Sequence, residues 1–215
     1  MSLLACTSCV QASAADAADD GADSAAVHPL MRDVFAAMPD TLLPLVSRNN
    51  RLDCIDYIEN NMEARVRNVI DEYVTLEALT KDYARFRTSP SGFMELKLMA
   101  DTLLCVVRTV EAGRDSMHVE DSRVAFFSVQ WEPLPAERYF RMPGIEDFII
   151  RDGVAALSDE ESRVVEALRY FCPVRIALSP DEAVLTIIPQ TSDLERGQRD
   201  VARRMLRSKK VELLK

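Results

Sequence analysis

The chain is written in two periods. Between residues 30 and 61, apolar side chains recur every three to four positions, the spacing of helices with one buried stripe. In "LMRDVFAAM" the stripe is Leu30/Met31, Val34/Phe35 and Met38. Met38-Pro39 ends it, because a residue before proline is pushed out of the α region. Asp40 is placed to cap a short helical turn through "TLLPLV". Ser47 then opens a second helix, "RNNRLDCIDYIENN", with Asn49 and Asn50 in its first turn. Its pattern buries Leu52, Ile55 and Ile58, leaves Arg51, Asp53 and Asp56 outside, and stops at Asn60-Asn61.

From residue 62 the period falls to two. "MEARVRN" sets Met62, Ala64 and Val66 against Glu63, Arg65 and Arg67, and "YVTLEAL" sets Val74, Leu76 and Ala78 against Thr75 and Glu77. "YARFRT" follows, then a turn at Ser89-Pro90-Ser91-Gly92. "FMELKLM" sets Met94, Leu96 and Leu98 against Glu95 and Lys97. "LLCVVRTVE" is apolar on both faces near its start, as a central strand is. "RVAFFSVQW" follows a polar loop at 112–122. This predicts a six-strand antiparallel meander with one wet face, whose alternating charges pair across strands. Trp131 ends the last strand, where its ring can anchor a ligand or partner, or close the end of a core.

"EPLPAERYFRMPG" (132–144) breaks the pattern and reads as a boundary or a long connection. "SDEESRVVEALRYF" then forms a helix with a capping box at Ser158 and Glu161, an apolar side of Val164/Val165, Leu168 and Phe171, and a stop at Pro173. A hairpin follows, with strands 174–178 and 183–188 around Ser179-Pro180-Asp181-Glu182. Residues 193–207 predict a helix capped by Ser192 or Asp193, and "VELLK" a last short strand. The hairpin compares with "ARFRTSPSGFMELKLM". A weak internal duplication and two unrelated hairpins with like turn chemistry both fit.

The predicted fold class is α+β: an antiparallel β-meander sheet with N-terminal helices packed on one face, plus a C-terminal helix–hairpin–helix unit. That unit either extends the sheet or forms a small second lobe. Residues 1–29 read as a signal remnant or disordered linker, and 30–215 as a single α+β domain with possible sub-lobes 30–135 and 145–215. A chain of 215 residues, 48% apolar and 28% charged, suits one such globular domain.

Charge narrows the partners. The formal net charge is −9, of which Asp16, Asp19, Asp20 and Asp23 supply four before the first cation, Arg32. An acidic remainder argues against nucleic acid, whose phosphates need a positive footprint. The exception is a local run of Arg196, Arg199, Arg203, Arg204, Arg207, Lys209 and Lys210. It is either a stripe that meets an anionic surface or a solvated helix face with cations near its C-terminal end. No apolar run approaches the ~20 residues of a membrane span.

Five cysteines, Cys6, Cys9, Cys54, Cys105 and Cys172, form no paired framework. The last three sit in apolar surroundings and read as buried thiols. The first two lie in "LLACTSCVQASAADAADDGAD". Leu3–Val10 is a short apolar core, and Ala12-Ser13-Ala14 a small-x-small cleavage site. Leu3-Leu4-Ala5-Cys6 resembles a lipoprotein box, which makes Cys6 a candidate lipid anchor. The basic n-region is missing. A disordered tail, or a lone Cys6-x-x-Cys9 redox or metal pair, are the other readings.

Catalytic signatures are absent from the sequence. His28 and His118 have no neighbouring ligands at metal spacing. The six glycines make no phosphate-binding loop, and there is no nucleophile elbow or zinc-protease helix. The doublets Asp19-Asp20, Glu120-Asp121 and Glu160-Glu161 read as linker, loop and helix N-terminus. No catalytic residue, metal or cofactor is predicted.

The stretches "VFAAMPDTLLPLVSRNNRLDCIDYIENNM", "LTKDYARF", "MELKLM" and "SVQWEPLP" resemble a family of uncharacterised exported Bacteroidetes proteins, a domain of unknown function, over roughly residues 31–200. The resemblance implies export and brings no activity, cofactor or catalytic residue. The expected function is that of an exported, non-enzymatic binding or interaction protein of the cell envelope, periplasmic or a membrane-tethered lipoprotein. It would meet a protein or small-molecule partner there, no nucleic acid, and the membrane only through Cys6. Two alternatives stand beside it: an exported inhibitor or regulator of an envelope enzyme, by analogy of fold alone, and a carboxylate-dependent hydrolase.

Overall fold

Two short helices open the fold, and the loop between them is held by an arginine. The computed structural model describes residues 29–100, 102–113, 118–150 and 156–213. Cys6, Cys9, His28 and the tail before Pro29 lie outside the described residues. Helix α1 is Met31–Ala36 and α2 is Arg48–Glu59. Ser47 Oγ accepts from the Asn50 N–H at 3.2 Å, and Asn50 Oδ1 accepts from the Ser47 N–H at 3.1 Å. This is a reciprocal capping box with Asn in the usual Glu place. Asn50 Nδ2 also donates to the Arg67 carbonyl at 2.9 Å, tying the helix start to the sheet. Asn61, at φ 57°, takes the left-handed turn that ends α2.

The buried face of α2 is Arg51, Cys54 and Ile55, while Leu52 is 37% exposed. The expected stripe is thus rotated, and Arg51, predicted outside, is fully buried. Its guanidinium donates to the Val46 carbonyl at 2.9 Å, to Asp40 Oδ1 at 3.0 Å and to the Met38 carbonyl. The segment 38–46 is only a 3₁₀ turn and bends, so its carbonyls lack ladder partners, and Arg51 supplies a fork of donors. Asp40 is occupied by this contact. It caps nothing; Pro39 stands at the N-cap of the Asp40–Leu42 turn with no side-chain cap.

The large sheet has seven strands in sequence order, all antiparallel: β1 Arg65–Arg67, β2 Tyr73–Leu79, β3 Tyr83–Ser89, β4 Gly92–Ala100, β5 Leu103–Ala112, β6 Val119–Ser128 and β7 Pro133–Leu134. β6 starts inside the segment expected as a polar loop. β7 adds a seventh strand inside the proline-rich break, with its proline first in an edge strand, where a missing N–H is tolerated. The helices cover one face, where Val74, Phe86, Leu96 and Leu104 meet Phe35 and Cys54. Phe35 and Phe86 pack with ring centroids 5.3 Å apart.

The other face, expected to be wet, is covered over its central strands. Helix α3 (Asp159–Tyr170), β8 (Val174–Leu178), β9 (Val184–Pro189), α4 (Arg196–Met205) and β10 (Lys209–Glu212) form a second lobe with its own antiparallel sheet, ordered β10-β9-β8. Its core joins Ile176, Leu185, Val164 and Val201 to Cys105, Val107 and Phe126 of the large sheet. The two hairpins with like turns have unlike settings, β3–β4 inside the seven-stranded sheet and β8–β9 in the small one.

Glu95 and Lys97, read as outward residues, are therefore buried at 3% and 4% exposure, with Thr109 and Ser122 beside them. β8 is an edge strand lying on the large sheet. Its Ile176 N–H donates to Ser122 Oγ at 2.9 Å, and its Leu178 N–H to Glu95 Oε2 at 3.5 Å. Ser122 and Thr109 hydroxyls share a hydrogen bond at 2.8 Å. Glu95 Oε1 accepts from Tyr83 Oη at 2.8 Å and Arg85 Nη1 at 3.2 Å. Lys97 donates to Asp82 at 2.8 Å and to the Pro180 carbonyl.

α3 carries the predicted capping box, Ser158 N–H to Glu161 Oε2 at 2.8 Å and Glu161 N–H to Ser158 Oγ at 3.3 Å. α4 starts later than expected. Its N-cap is Glu195, paired with Gln198, while the Ser192 hydroxyl donates to the His118 carbonyl at 2.8 Å.

Two substitutions test this framework in urea unfolding. Arg51→Met keeps the length but strips the donors from buried carbonyls, and should destabilise by about 2–5 kcal/mol. Ser122→Ala should cost about 1–3 kcal/mol by orphaning the Ile176 N–H. A loss under about 0.5 kcal/mol in either would show that water replaces the lost partner.

Candidate functional site

The end of α3 does something its pattern does not announce. The inward stripe Val164, Val165, Leu168 stops one turn early, because Phe171 already has extended backbone (φ −150°, ψ 115°) and Pro173 follows. Phe171, predicted as part of the apolar side, is 59% exposed, and Tyr170 beside it is 94% exposed. Leaving the helix turns Phe171 away from the stripe it would otherwise continue.

Arg169 and Cys172, which flank this pair in the chain, line a half-open cleft of about 370 Å³. Its other walls are Met142, Ile145 and Phe148, from the 3₁₀ turn Ile145–Phe148 and its approach, with Leu168 and Val174. The volume lies near the low end for small-ligand sites, about 300–1,000 Å³. The wall is mainly apolar. At its rim Arg169 Nε donates to Glu146 Oε1 at 2.7 Å, which holds the Glu146 carboxyl below the usual carboxylate range. Burial pushes the Cys172 thiol up, so the sulfur facing the cleft is a protonated, weakly nucleophilic group. Among the described residues, Glu146 is the one carboxylate in the lining. The arrangement suits an apolar group with a polar end near an ion pair, and holds no general acid–base pair.

The residues singled out from sequence lie elsewhere. Trp131 follows the end of β6 rather than ending the strand, at φ 66° and 6% exposure. Its indole N–H donates to the Val34 carbonyl at 2.9 Å, and its ring packs on Phe127 at 5.5 Å. It closes the first core and joins sheet to helix. His118 is exposed. Glu120 and Asp121 point to opposite faces of β6, with Glu120 3.4 Å from Arg175. Glu161 is engaged in the α3 cap. Among the described residues, no group of three or more His, Cys, Asp or Glu side chains is placed to hold a metal ion. No described helix is long and apolar enough to cross a membrane. The cleft itself was missed in sequence. Its signal was the succession Tyr-Phe-Cys-Pro, in which the helix ends ahead of the proline, before Phe171 can join the buried stripe, while Tyr170 lies off that stripe on the outer face of α3.

The profile of a family described as "Protein of unknown function (DUF3256)" matches residues 26–212. Among solved structures, a domain of an uncharacterized protein from Porphyromonas gingivalis W83 is similar, with a TM-score of 0.67 and 23% identity over 83% of this chain and 90% of that one. At that identity the likeness is one of fold. No curated protein matches.

The thiols give a test of burial. Burial raises Cys54 to about 11 and Cys105 to about 12, and also raises Cys172. At pH 8 all three should be protonated and slow toward a maleimide, with Cys172, only half-buried, labelled first by peptide mapping. A raised thiol stabilises the fold fully below its unfolded value near 9 and loses that contribution as pH rises through its folded value. The thiols' contribution to stability should thus be level below pH 9 and fall between about pH 9 and 12. Fast native labelling of Cys105 would show that the two lobes separate.

Proposed function

The chain belongs to the DUF3256 family of proteins of unknown function, and from the geometry of its second lobe we propose that it is a non-enzymatic binding protein of the cell envelope that holds a partner at the α3 cleft. The observation that carries this reading is the exposure of Tyr170 and Phe171, 94% and 59%, between two residues that line an apolar cleft. Aromatic side chains with few rotatable bonds are the usual anchors of interfaces, and leaving two in water has no advantage for the isolated fold. The cleft's lining, with its protonated thiol and single ion pair, supports recognition rather than chemistry. The envelope setting is supported by the sequence: the apolar stretch Leu3–Val10, the small-x-small site Ala12-Ser13-Ala14 and the box ending at Cys6.

A photo-crosslinking amino acid at Phe171, expressed in native cells, should give a discrete adduct with an envelope component. The same group at Tyr73, an exposed residue of β2, should not. Tyr170→Ala/Phe171→Ala should abolish the adduct formed by a crosslinker placed instead at Met142, and leave stability within about 0.5 kcal/mol. No adduct above the Tyr73 control would sink the proposal. An intact N-terminus recovered only from the soluble cytoplasmic fraction would sink its envelope part.

A further inference from the structure

A second surface of the same lobe has a different character. α4 buries Val201, Ala202 and Met205, so its cations are carried on the remaining faces. Arg196, Arg203 and Arg204 are exposed, and Arg196, Arg199, Asp200 and Arg203 line a concavity of about 440 Å³. The chain then runs into β10 with Arg207 and Lys210 also exposed. Residues 196–210 hold seven cations and a single acid, a local charge of +6, while the rest of the chain carries −15. Within the run, Arg203 lies 3.6 Å from Asp200, and Lys209 donates to Asp147 at 2.6 Å.

We infer that the α4–β10 ridge docks on an anionic phospholipid surface, with its arginines at the phosphate headgroups. Charge complementarity selects an anionic partner, because each cation held at such a surface contributes about 1 kcal/mol. α4 turns its apolar residues inward, so nothing is offered for insertion and contact stays at headgroup level. The ridge carries no aromatic platform on which the bases of a single strand would stack. Acids more distant than roughly 10 Å are screened from such a surface at 0.1 M salt. A second signal is also what a lone acyl anchor needs, since one chain binds marginally and a polybasic patch makes the attachment stable.

The setting rests on the envelope reading, but the binding can be measured without it. The full chain carrying Cys6→Ala is floated with phosphatidylcholine vesicles that contain phosphatidylglycerol, and with phosphatidylcholine alone. Binding to the anionic vesicles only, falling as salt is raised, is expected. Arg196→Gln/Arg203→Gln/Arg204→Gln should weaken it roughly a hundredfold. Arg65→Gln/Arg67→Gln, which removes exposed cations from β1, should leave it unchanged. Unaltered circular dichroism and melting of the triple variant would show that it is folded. No binding at low salt, equal binding to neutral vesicles, or wild-type binding by the triple variant would each overturn the inference. Tighter retention on a DNA duplex than on anionic vesicles at the same salt would overturn it in favour of nucleic acid. A failed crosslink at Phe171 with intact vesicle binding would reject the cleft and keep the ridge.

Discussion

β8 runs along the margin of a three-stranded sheet and lies against the middle of a seven-stranded one, so its outward N–H groups cannot reach water. Each would cost about 1–3 kcal/mol if left without an acceptor, a large part of the ~5–15 kcal/mol by which a domain is stable. Ser122 and Glu95 take those bonds. The two sheets can therefore share one core without forming one continuous ladder. Glu95 in turn is tolerable in the interior because Tyr83, Arg85 and the Leu178 N–H surround its oxygens. Burial and the neighbouring carboxylate keep the Tyr83 phenol protonated to high pH, so its donated bond persists. The site, the ridge and the second core all stand on this seam.

The same seam marks where sequence reading succeeds and where it stops. Period two located the strands from Tyr73 to Ser128, and the Ser47 and Ser158 caps located two helix starts, because those signals are local. Alternation in "FMELKLM" correctly put Glu95 and Lys97 on the face opposite Met94 and Leu96. It could not say that residues some eighty positions later would cover that face. Polar residues there look solvated whether they face water or an edge strand. Arg51 failed for a related reason: a charged side chain is taken as outward unless its acceptors are visible, and those acceptors are backbone carbonyls of an irregular loop. Trp131 left two roles open in the sequence, and the Val34 carbonyl takes its N–H into the core.

The cleft and the ridge were legible to different degrees. The cations of α4 could be counted from the sequence, and the structure adds which of them are exposed. The cleft could not be counted in that way. Its walls come from a proline-rich connection, a helix end and a strand start, which only tertiary packing brings together. Phe171 looked like the continuation of the helix stripe until its extended backbone released it.

The order in which the chain is made gives the seam one more meaning. The meander pairs each strand with its neighbour in sequence, and Arg51 finds its partners 5 to 13 residues away. The strands of the first layer can thus pair one after another as the chain lengthens, although their core is closed only by Trp131, 97 residues after its partner Val34. The bonds that seat the second lobe reach back 54 and 83 residues. Until Leu178 has emerged, Cys105, Val107 and Phe126 have no cover, and a ribosome-bound or unfinished chain presents a sticky, half-polar sheet face. A molecule built in this order needs either a quick second half or something to hold it meanwhile.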